Sequence, residues 1–227
     1  MANTALWNKK ELNYQIAEHK RHFPTEFVLR ALLSPAYFKN FKQVEHGQTV
    51  LDIGCLYANN LVPFVDRGCA AFGVEVTEDG VIVARENAAQ QNIEAHIEQG
   101  TNSALPFDDE FFDFVLSINT IHYEDNKDGV IAGLTEMKRV LKPGGCLLIS
   151  TAGQEHNFVS TAQKNGPNDY TVQKEGDFRC GEHFTFFDGP EDFKNTLNDV
   201  FDKTETAVIT ESYPQAPLQF YIGKCIK

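Results

Sequence analysis

Short apolar runs alternate with helical segments between Thr49 and Ser150, and this alternation is the feature that most constrains the fold. Runs of strand length separated by helices are typical of βαβ units, which build a parallel sheet with helices on both faces. Right-handed crossovers then fix the hand of each unit. The elements predicted in this region are the strands Val50–Ile53, Ala70–Glu75, Glu94–Glu98, Phe112–Ser117 and Cys146–Ser150 and the helices Asn59–Arg67, Asp79–Gln91 and Asp128–Leu141.

The two ends of the chain depart from this alternation. Thr204–Thr210 and Leu218–Ile226 have the pattern of strands with no helix between them, so we expect an antiparallel hairpin. Apolar residues recur at helical spacing between Asn8 and Leu33, with a break at Pro24, which predicts one or two helices there. The predicted fold is therefore α/β and doubly wound, with a mostly parallel seven-stranded, Rossmann-like sheet, an antiparallel terminal hairpin and an N-terminal helical cap.

A single domain is expected, because 227 residues can bury one sizeable core. Its predicted parts are the helical cap over residues 1–46, the alternating core over residues 47–151, an insertion over residues 152–189, and a C-terminal helix and hairpin over residues 190–227. The insertion is polar and rich in loop-forming residues. Loops of that length in a compact domain are usually functional or disordered.

Composition argues against several classes of partner and site. The formal net charge of −12 disfavours binding to bare nucleic acid. No apolar run approaches the ~20 residues of a membrane span, and the N-terminus lacks the charged start and apolar core of a signal peptide. The five cysteines are odd in number and widely spaced, which disfavours disulfides and zinc and favours the cytoplasm. Cys146 and Cys225 lie in apolar runs, so we expect them to be buried. The oligomeric state is left open.

Two of the predicted strands carry acidic residues toward the same edge of the predicted sheet. Asp52 stands near the end of the first strand and Glu75 ends the second. The turn that follows Ile53 points backbone N–H groups at a ligand, provided that a helix starts after it. Two carboxylates about one βαβ unit apart suit a ribose-bearing cofactor at this edge. The alternative for Asp52 and the turn after it is an ordinary strand–turn–helix corner that binds no ligand.

Four stretches of the chain resemble motifs of the class I S-adenosylmethionine-dependent methyltransferases. They are Val50–Cys55, Gly73–Glu75, Gly100–Val115 and Met137–Gly145, of which the last two are long and specific. The resemblance covers residues 47–151 and the last two strands. It implies S-adenosylmethionine as the cofactor, S-adenosylhomocysteine as the product, and an insertion that covers the substrate.

The resemblance also implies which residues form the cofactor site. Asp52 would orient the methionine end, Gly54 would let the chain pass close to the cofactor, and Glu75 would accept hydrogen bonds from both ribose hydroxyls. Thr101 and Asn102 would contact the adenine edge. The other cofactor-binding residues implied by position are Cys55, Val76, Ser103 and Asn119, the last of them along the methionine arm.

The sequence departs from the family pattern at the first turn. Leu56 and Ala58 stand where the family usually has glycines, and Thr101 stands where it often has aspartate. A slightly widened turn that still binds the cofactor is one interpretation, and a non-catalytic relative is another. The acid at Glu75 favours retained binding, because a buried carboxylate without a partner is costly.

Two histidines are candidates for catalysis. Methyl transfer needs alignment, and a hydroxyl acceptor also needs a base. His122 follows the fourth strand, where the methyl group is expected, although it could instead pack against the following helix. His183 lies in the insertion and could equally be a surface histidine. No metal site is predicted.

The predicted function is methyl transfer to a small-molecule acceptor, most simply a hydroxyl of a metabolite or sugar. Ser117–Thr120 stands where relatives that methylate exocyclic amines of bases or amide nitrogens carry Asn-Pro-Pro-Tyr, which weighs against nucleic acid. The alternatives are a protein methyltransferase and a cofactor-binding relative without catalysis.

Overall fold

The computed structural model describes residues 23–173, 175–177 and 179–227. The part of the predicted cap that precedes Phe23 lies outside these residues. The first described helix, α1, is Glu26–Leu33, and it begins two residues after Pro24. A proline close to a helix start is expected, because it lacks the N–H that would be unpaired there.

The remaining elements follow the predicted alternation closely. The strands are β1 Thr49–Ile53, β2 Ala70–Glu75, β3 Ala95–Gln99, β4 Phe112–Ile118, β5 Leu141–Ala152, β6 Gln163–Gly166, β7 Asp169–Thr171, β8 His183–Thr185, β9 Lys203–Glu211 and β10 Leu218–Ile226. The helices are α2 Val62–Val65, α3 Glu78–Gln90, α4 Lys127–Val140, α5 Asn157–Ser160 and α6 Pro190–Asn198, with 3₁₀ turns at Asn59–Leu61 and Ile121–Tyr123.

Seven strands form one sheet in the order β3-β2-β1-β4-β5-β10-β9. Strands β1 to β5 are parallel, and β10 is antiparallel to both β5 and β9. The predicted fold class, with its terminal antiparallel hairpin, is thereby confirmed. The strand order reverses between β1 and β4, and open α/β sheets bind ligands beyond the carboxyl ends of the strands at such a point.

Alternate residues of the central strands point to opposite faces of the sheet. Val50 and Phe114 are buried in a cluster that includes residues of α1, α2 and α3. Leu51 and Val115 are buried on the other face, against α4 and α6. Cys146 and Cys225 are fully buried, as predicted. The two clusters hold the carboxyl ends of β1 and β4 side by side.

One predicted turn belongs to a strand. The sequence predicts a turn at Lys142–Gly145, but β5 already begins at Leu141 and continues through this stretch. Its pairing with β4 is irregular there. Gly144 has a φ of +75°, and its N–H donates to the carbonyl of Lys227 at 2.8 Å. The stretch therefore bulges along the sheet, where the C-terminal end of the chain pairs with it.

The insertion has more regular structure than the sequence predicts. It contains α5 and a small antiparallel sheet, β6-β7-β8. Its buried side chains form a cluster of their own, namely Ala152, Val159, Tyr170, Val172, Phe184 and Phe186. The segment is rich in loops, as predicted, but contacts between parts of the insertion also hold short strands together, which the sequence did not indicate.

Within the described ranges, no helix is long and apolar enough to cross a membrane. The same residues contain no group of three side chains placed to bind a metal ion.

Candidate active site

A cavity of about 460 Å³ lies at the carboxyl edge of the sheet, between the ends of β1, β2 and β4. Its volume is in the range of small-molecule sites. Two of the predicted cofactor-binding residues do not line it: Ser103, and Asp52, which is buried in β1 just before the turn. The predicted cofactor-binding residues that do line it are Gly54, Cys55, Glu75, Val76, Thr101, Asn102 and Asn119.

The turn after β1 passes very close to its neighbours. Gly54 has a φ of +72°, and its N–H donates to the carbonyl of Val74 at 2.8 Å. A Cβ at Gly54 would lie 2.5 Å from Cγ2 of Thr120, which follows β4. Glycine is thus required here both by the backbone conformation and by the contact.

Replacing Gly54 with alanine should lower the free energy of unfolding by about 2 kcal/mol. The strain of a left-handed backbone at a non-glycine residue and the clash of the new methyl with Thr120 both contribute to this loss. Urea unfolding measures this loss. Gly144→Ala is the matched control, because Gly144 has a similar φ of +75° but open space around it. Adding Thr120→Ser to Gly54→Ala removes the clashing methyl and should recover the steric part of the loss. No recovery would contradict the assigned contact.

Glu75 both holds the turn and faces the cavity. It is buried, and its Oε1 accepts the N–H of Leu56 at 2.7 Å. Burial raises the pKa of Glu75 to about 7, against the lowering effect of the N–H groups of Leu56 and Val76. A carboxylate in this position can accept hydrogen bonds from a bound ligand, as the ribose assignment requires.

Asp52 contributes a second carboxylate below the same turn. Its side chain is 1% exposed, and Oδ2 has no hydrogen-bond partner among the residues that the structure describes. Burial, and secondarily the charge of Glu75, raises the pKa of Asp52 to about 8, while a hydrogen bond with Asn60 lowers it. An unsatisfied buried oxygen beside a ligand-sized cavity fits a cofactor with a positively charged end, because that charge would compensate the carboxylate.

Asn102 is held by residues that the sequence analysis did not single out. Its Nδ2 donates to Oε1 of Glu124 at 2.9 Å, and Thr120 Oγ1 donates to its Oδ1 at 3.4 Å. Thr101 also lines the cavity, with its Oγ1 3.4 Å from Oγ of Ser103. A role for Thr101 and Asn102 at the adenine edge stays a prediction. The contact with Glu124 had no motif that could have revealed it.

The two unusual residues of the turn differ in their surroundings. Ala58 has a φ of +53°, the left-handed conformation that glycine adopts without strain. Leu56 packs against Val83 and Tyr57 and is 9% exposed. Glycine at position 56 would therefore remove a packed side chain, whereas glycine at position 58 would relieve strain.

For Ala58→Gly we expect an unfolding free energy within about 0.5 kcal/mol of wild type, because relief of strain offsets the lost methyl and added chain entropy. Cofactor affinity should be equal or better. The control is Ala88→Gly, an equally buried alanine inside α3, which should cost about 1–2 kcal/mol. Equal losses in the two variants, measured by urea unfolding, would show that Ala58 is not strained.

A second, smaller cavity of about 190 Å³ lies beside the first, and Asn119 lines both. Asn119 has a φ of +58°, and its Oδ1 accepts from Oγ of Ser150 at 3.0 Å. The other lining residues come from the 3₁₀ turn after β4, the end of β5, the insertion and β10, and they are His122, Ala152, His156, Asn157, Phe158, Asp177, Arg179 and Phe220.

His122 faces this second cavity from a buried position. It is 3% exposed, with Nδ1 3.2 Å from Oγ1 of Thr151 and its ring packed among Tyr123, Phe158 and Phe186. Burial, followed by the charges of Arg179 and His156, lowers the pKa of His122 to about 3. Its position near the methyl group stays a prediction, and a nitrogen with this pKa is a weak base.

His183 does not join the site. It lies on β8 with an exposed side chain, and its Nδ1 is 3.2 Å from Oδ1 of Asp169. Neither cavity is lined by it. The prediction of His183 as a catalytic residue therefore has no geometric support, because β8 pairs with β7 and carries this side chain outward. Position in an insertion alone could not reveal this.

Comparison with known proteins finds methyltransferases that are similar to part of this chain. Residues 51–149 match a family model described as a methyltransferase domain. A ubiquinone biosynthesis O-methyltransferase of Dinoroseobacter shibae is 34% identical over 133 residues, which cover 59% of this chain and 50% of that protein. A demethylmenaquinone methyltransferase of Tropheryma whipplei is 30% identical over 118 residues, covering 52% of this chain and 47% of that protein. The chain thus spans about half the length of these curated relatives.

Solved structures share the fold at low sequence identity. A SAM-dependent methyltransferase of Methanosarcina mazei has a TM-score of 0.65 at 17% identity, covering 90% of this chain and 98% of its own. The [4+2]-cyclase SpnF has a TM-score of 0.60 at 14% identity, covering 88% of this chain and 79% of its own. The four motifs, the sheet order and the family match agree: over residues 51–149 the chain is similar to the class I S-adenosylmethionine-dependent methyltransferases.

Proposed function

We propose that this protein transfers a methyl group from S-adenosylmethionine to a hydroxyl of a small molecule, such as a metabolite or sugar. The observation that carries the proposal is the pair of adjoining cavities that share Asn119. The larger has the size for the cofactor and the smaller has room for an acceptor.

All five cysteines are free, which supports a reducing compartment such as the cytoplasm.

The residues of the larger cavity fit the cofactor in charge and shape. When bound, S-adenosylmethionine supplies a methyl group on a positively charged sulfonium. In the proposal, Glu75 accepts the ribose hydroxyls, and Gly54 leaves room for the chain to approach. Asp52 compensates positive charge from below the turn. The sheet holds these groups rigidly, so alignment is their main contribution.

His122 has a different role in this proposal from the base that the sequence analysis predicts. A pKa of about 3 leaves the ring neutral at physiological pH but makes proton abstraction from a hydroxyl unfavourable. Its contact with Thr151 fixes the ring beside the acceptor cavity. We assign it the task of positioning the acceptor, and the general base stays a prediction without geometric support.

The two alternatives, a non-catalytic relative and a protein methyltransferase, differ in their support. The [4+2]-cyclase shares the fold, so the fold alone does not require methyl transfer. A protein substrate would fit an open groove better than a cavity of about 190 Å³.

Titration calorimetry with S-adenosylmethionine and S-adenosylhomocysteine tests the proposal first. We expect both to bind, and a panel of small hydroxyl compounds to include one that yields S-adenosylhomocysteine in a coupled assay. Binding without turnover on any small molecule or peptide would favour a non-catalytic relative. Absence of binding would overturn the proposal.

A further inference from the structure

The smaller cavity is lined by flat rings. Phe158 from α5 and Phe220 from β10 line it together with the imidazoles of His122 and His156. The His156 ring meets Phe220 edge-on, with centroids 5.1 Å apart. Aromatic side chains bind another ring through offset or edge-on contacts. A volume of about 190 Å³ suits one substituted ring.

The charges in this cavity cancel. Among the described residues that line it, Arg179 and Asp177 carry charge at neutral pH, and they pair through two hydrogen bonds of 2.8 and 2.6 Å. Burial and the Arg179 charge lower the pKa of His156 as they do that of His122, so both imidazoles are neutral. A permanently charged acceptor would bring an unbalanced charge into this nearly neutral cavity. The cavity therefore favours a molecule that enters uncharged.

The cavity also limits which hydroxyl can react. Its two imidazoles are weak bases, so the acceptor must lose its proton readily. Arg179 lies with its guanidinium carbon 4.0 Å from the centroid of the Phe158 ring, and its positive charge favours a nearby oxyanion. A hydroxyl on an aromatic ring has a pKa near 10, as in tyrosine, far below that of an aliphatic alcohol.

We propose that the smaller cavity binds an uncharged aromatic or enolic ring compound, and that the ring hydroxyl is the methyl acceptor, with Arg179 stabilising its ionised form. This inference rests on the proposed function. It narrows the acceptor to a ring compound with a hydroxyl group and argues against a sugar as the acceptor. In the transfer, the hydroxyl oxygen forms a bond to the methyl carbon as the bond from that carbon to sulfur breaks. The electron pair stays on sulfur, which becomes a neutral thioether, and the hydroxyl proton passes to solvent.

Four small probes test the inference: catechol, 4-hydroxybenzoate, tyramine and methyl glucoside. Their binding to the full chain is measured by ligand-observed NMR with and without S-adenosylhomocysteine, and methyl transfer by mass spectrometry. Catechol should bind about tenfold more tightly than the charged probes, which lack a free counter-charge in the cavity. It should be methylated, and methyl glucoside should not.

Equal or tighter binding of any other probe, or faster methylation of it, would overturn the inference. Because catechol binding is also measured without cofactor, the result stands apart from the proposed function. Failure to bind S-adenosylmethionine would count against that function. A chain that binds the cofactor but prefers methyl glucoside would refute the ring-hydroxyl assignment alone.

Phe158→Leu tests the site, since it keeps an apolar side chain but removes the ring. We expect catechol to bind about three- to tenfold more weakly and cofactor affinity to stay within about twofold. Phe111→Leu is the control, because Phe111 precedes β4 at the opposite edge of the sheet and is partly exposed. An unchanged catechol affinity in Phe158→Leu would place the acceptor elsewhere.

Arg179→Gln tests whether the positive charge of Arg179 stabilises the ionised hydroxyl of the acceptor. Turnover of catechol should fall by about tenfold or more, while turnover of a fluorinated catechol, whose hydroxyls are more acidic, should fall less. A purely structural role of Arg179 would reduce both equally, and that result would overturn the assignment to Arg179.

Discussion

Replacing Glu75 with alanine should weaken S-adenosylmethionine binding about hundredfold, because hydrogen bonds to a charged acceptor are worth roughly 1.5–3 kcal/mol each. The carboxylate is buried at the end of β2 and lines the larger cavity. Its Oε1 also accepts the Leu56 N–H at 2.7 Å, so the alanine variant loses a support of the turn as well. Titration calorimetry gives the affinity.

Glu75→Gln separates these two contributions. The amide oxygen can still accept from Leu56, but the negative charge is gone, so we expect only about a tenfold loss. The matched control is Glu78→Gln in the first turn of α3, close in sequence but not lining the cavity. It should bind the cofactor like wild type. Wild-type affinity in Glu75→Ala would refute the ribose assignment.

The location of this site could be predicted from the sequence because it follows from topology. Asp52 lies on β1, Glu75 ends β2 and Asn119 follows β4, and they come together because parallel strands end at one edge. Strands β1 and β4 were recognisable as short apolar runs, because they are buried on both faces of the sheet. No knowledge of side-chain contacts was needed for this step.

The interior of the insertion could not be predicted in the same way. Phe184 and Phe186 lie in or beside a three-residue strand, too short for a periodic signal. They are buried because Val159 and Tyr170, which lie earlier in the chain, pack against them. The state of His122 depends on the same contacts. The position of His122 after β4 could be predicted from the sequence, but its pKa is set by burial under the insertion and by the charge of Arg179.

The electrostatics of the cofactor site likewise depend on packing. Asp52 and Glu75 are distant in sequence, but adjacent parallel strands bring them together, and pairing aligns Asp52 with Gly73. Two neighbouring carboxyl groups shielded from water hold protons more strongly than exposed ones. The sequence identified both acids, but it could not give their protonation state, which decides how the site responds to pH.

Cofactor affinity should rise by about 500-fold between pH 6 and pH 8, because each pH unit below the pKa of a carboxyl costs about 1.4 kcal/mol and two carboxyls contribute. Burial and the charge of Glu75 raise the pKa of Asp52 to about 8, and burial raises that of Glu75 to about 7. A positively charged sulfonium binds the ionised forms better, so binding drives proton release. Calorimetry in buffers of different ionisation enthalpy should detect nearly two protons released at pH 6.5, that is, about 1.7.

The stability of the protein without cofactor should change in the opposite direction. A carboxyl whose folded pKa is raised above its unfolded value binds its proton more tightly in the folded state. Asp52 and Glu75 therefore contribute stability at low pH that is lost as pH rises from about 4 through about 8. The increase in Tm caused by the cofactor should accordingly be larger at pH 8 than at pH 6.

Asp52→Asn distinguishes this mechanism from a general effect of pH. Asparagine has the same shape but no proton to release, so the gain in affinity between pH 6 and pH 8 should fall to about tenfold, the part due to Glu75. The decline in stability of the cofactor-free protein over the same range should also be smaller. Asp113→Asn is a suitable control, because ion pairs and hydrogen bonds keep the pKa of Asp113 low, and it should leave the pH dependence of binding unchanged. If Asp52→Asn retains the full gain of about 500-fold, the protons come from other groups, and the unpaired oxygen of Asp52 is not part of cofactor recognition.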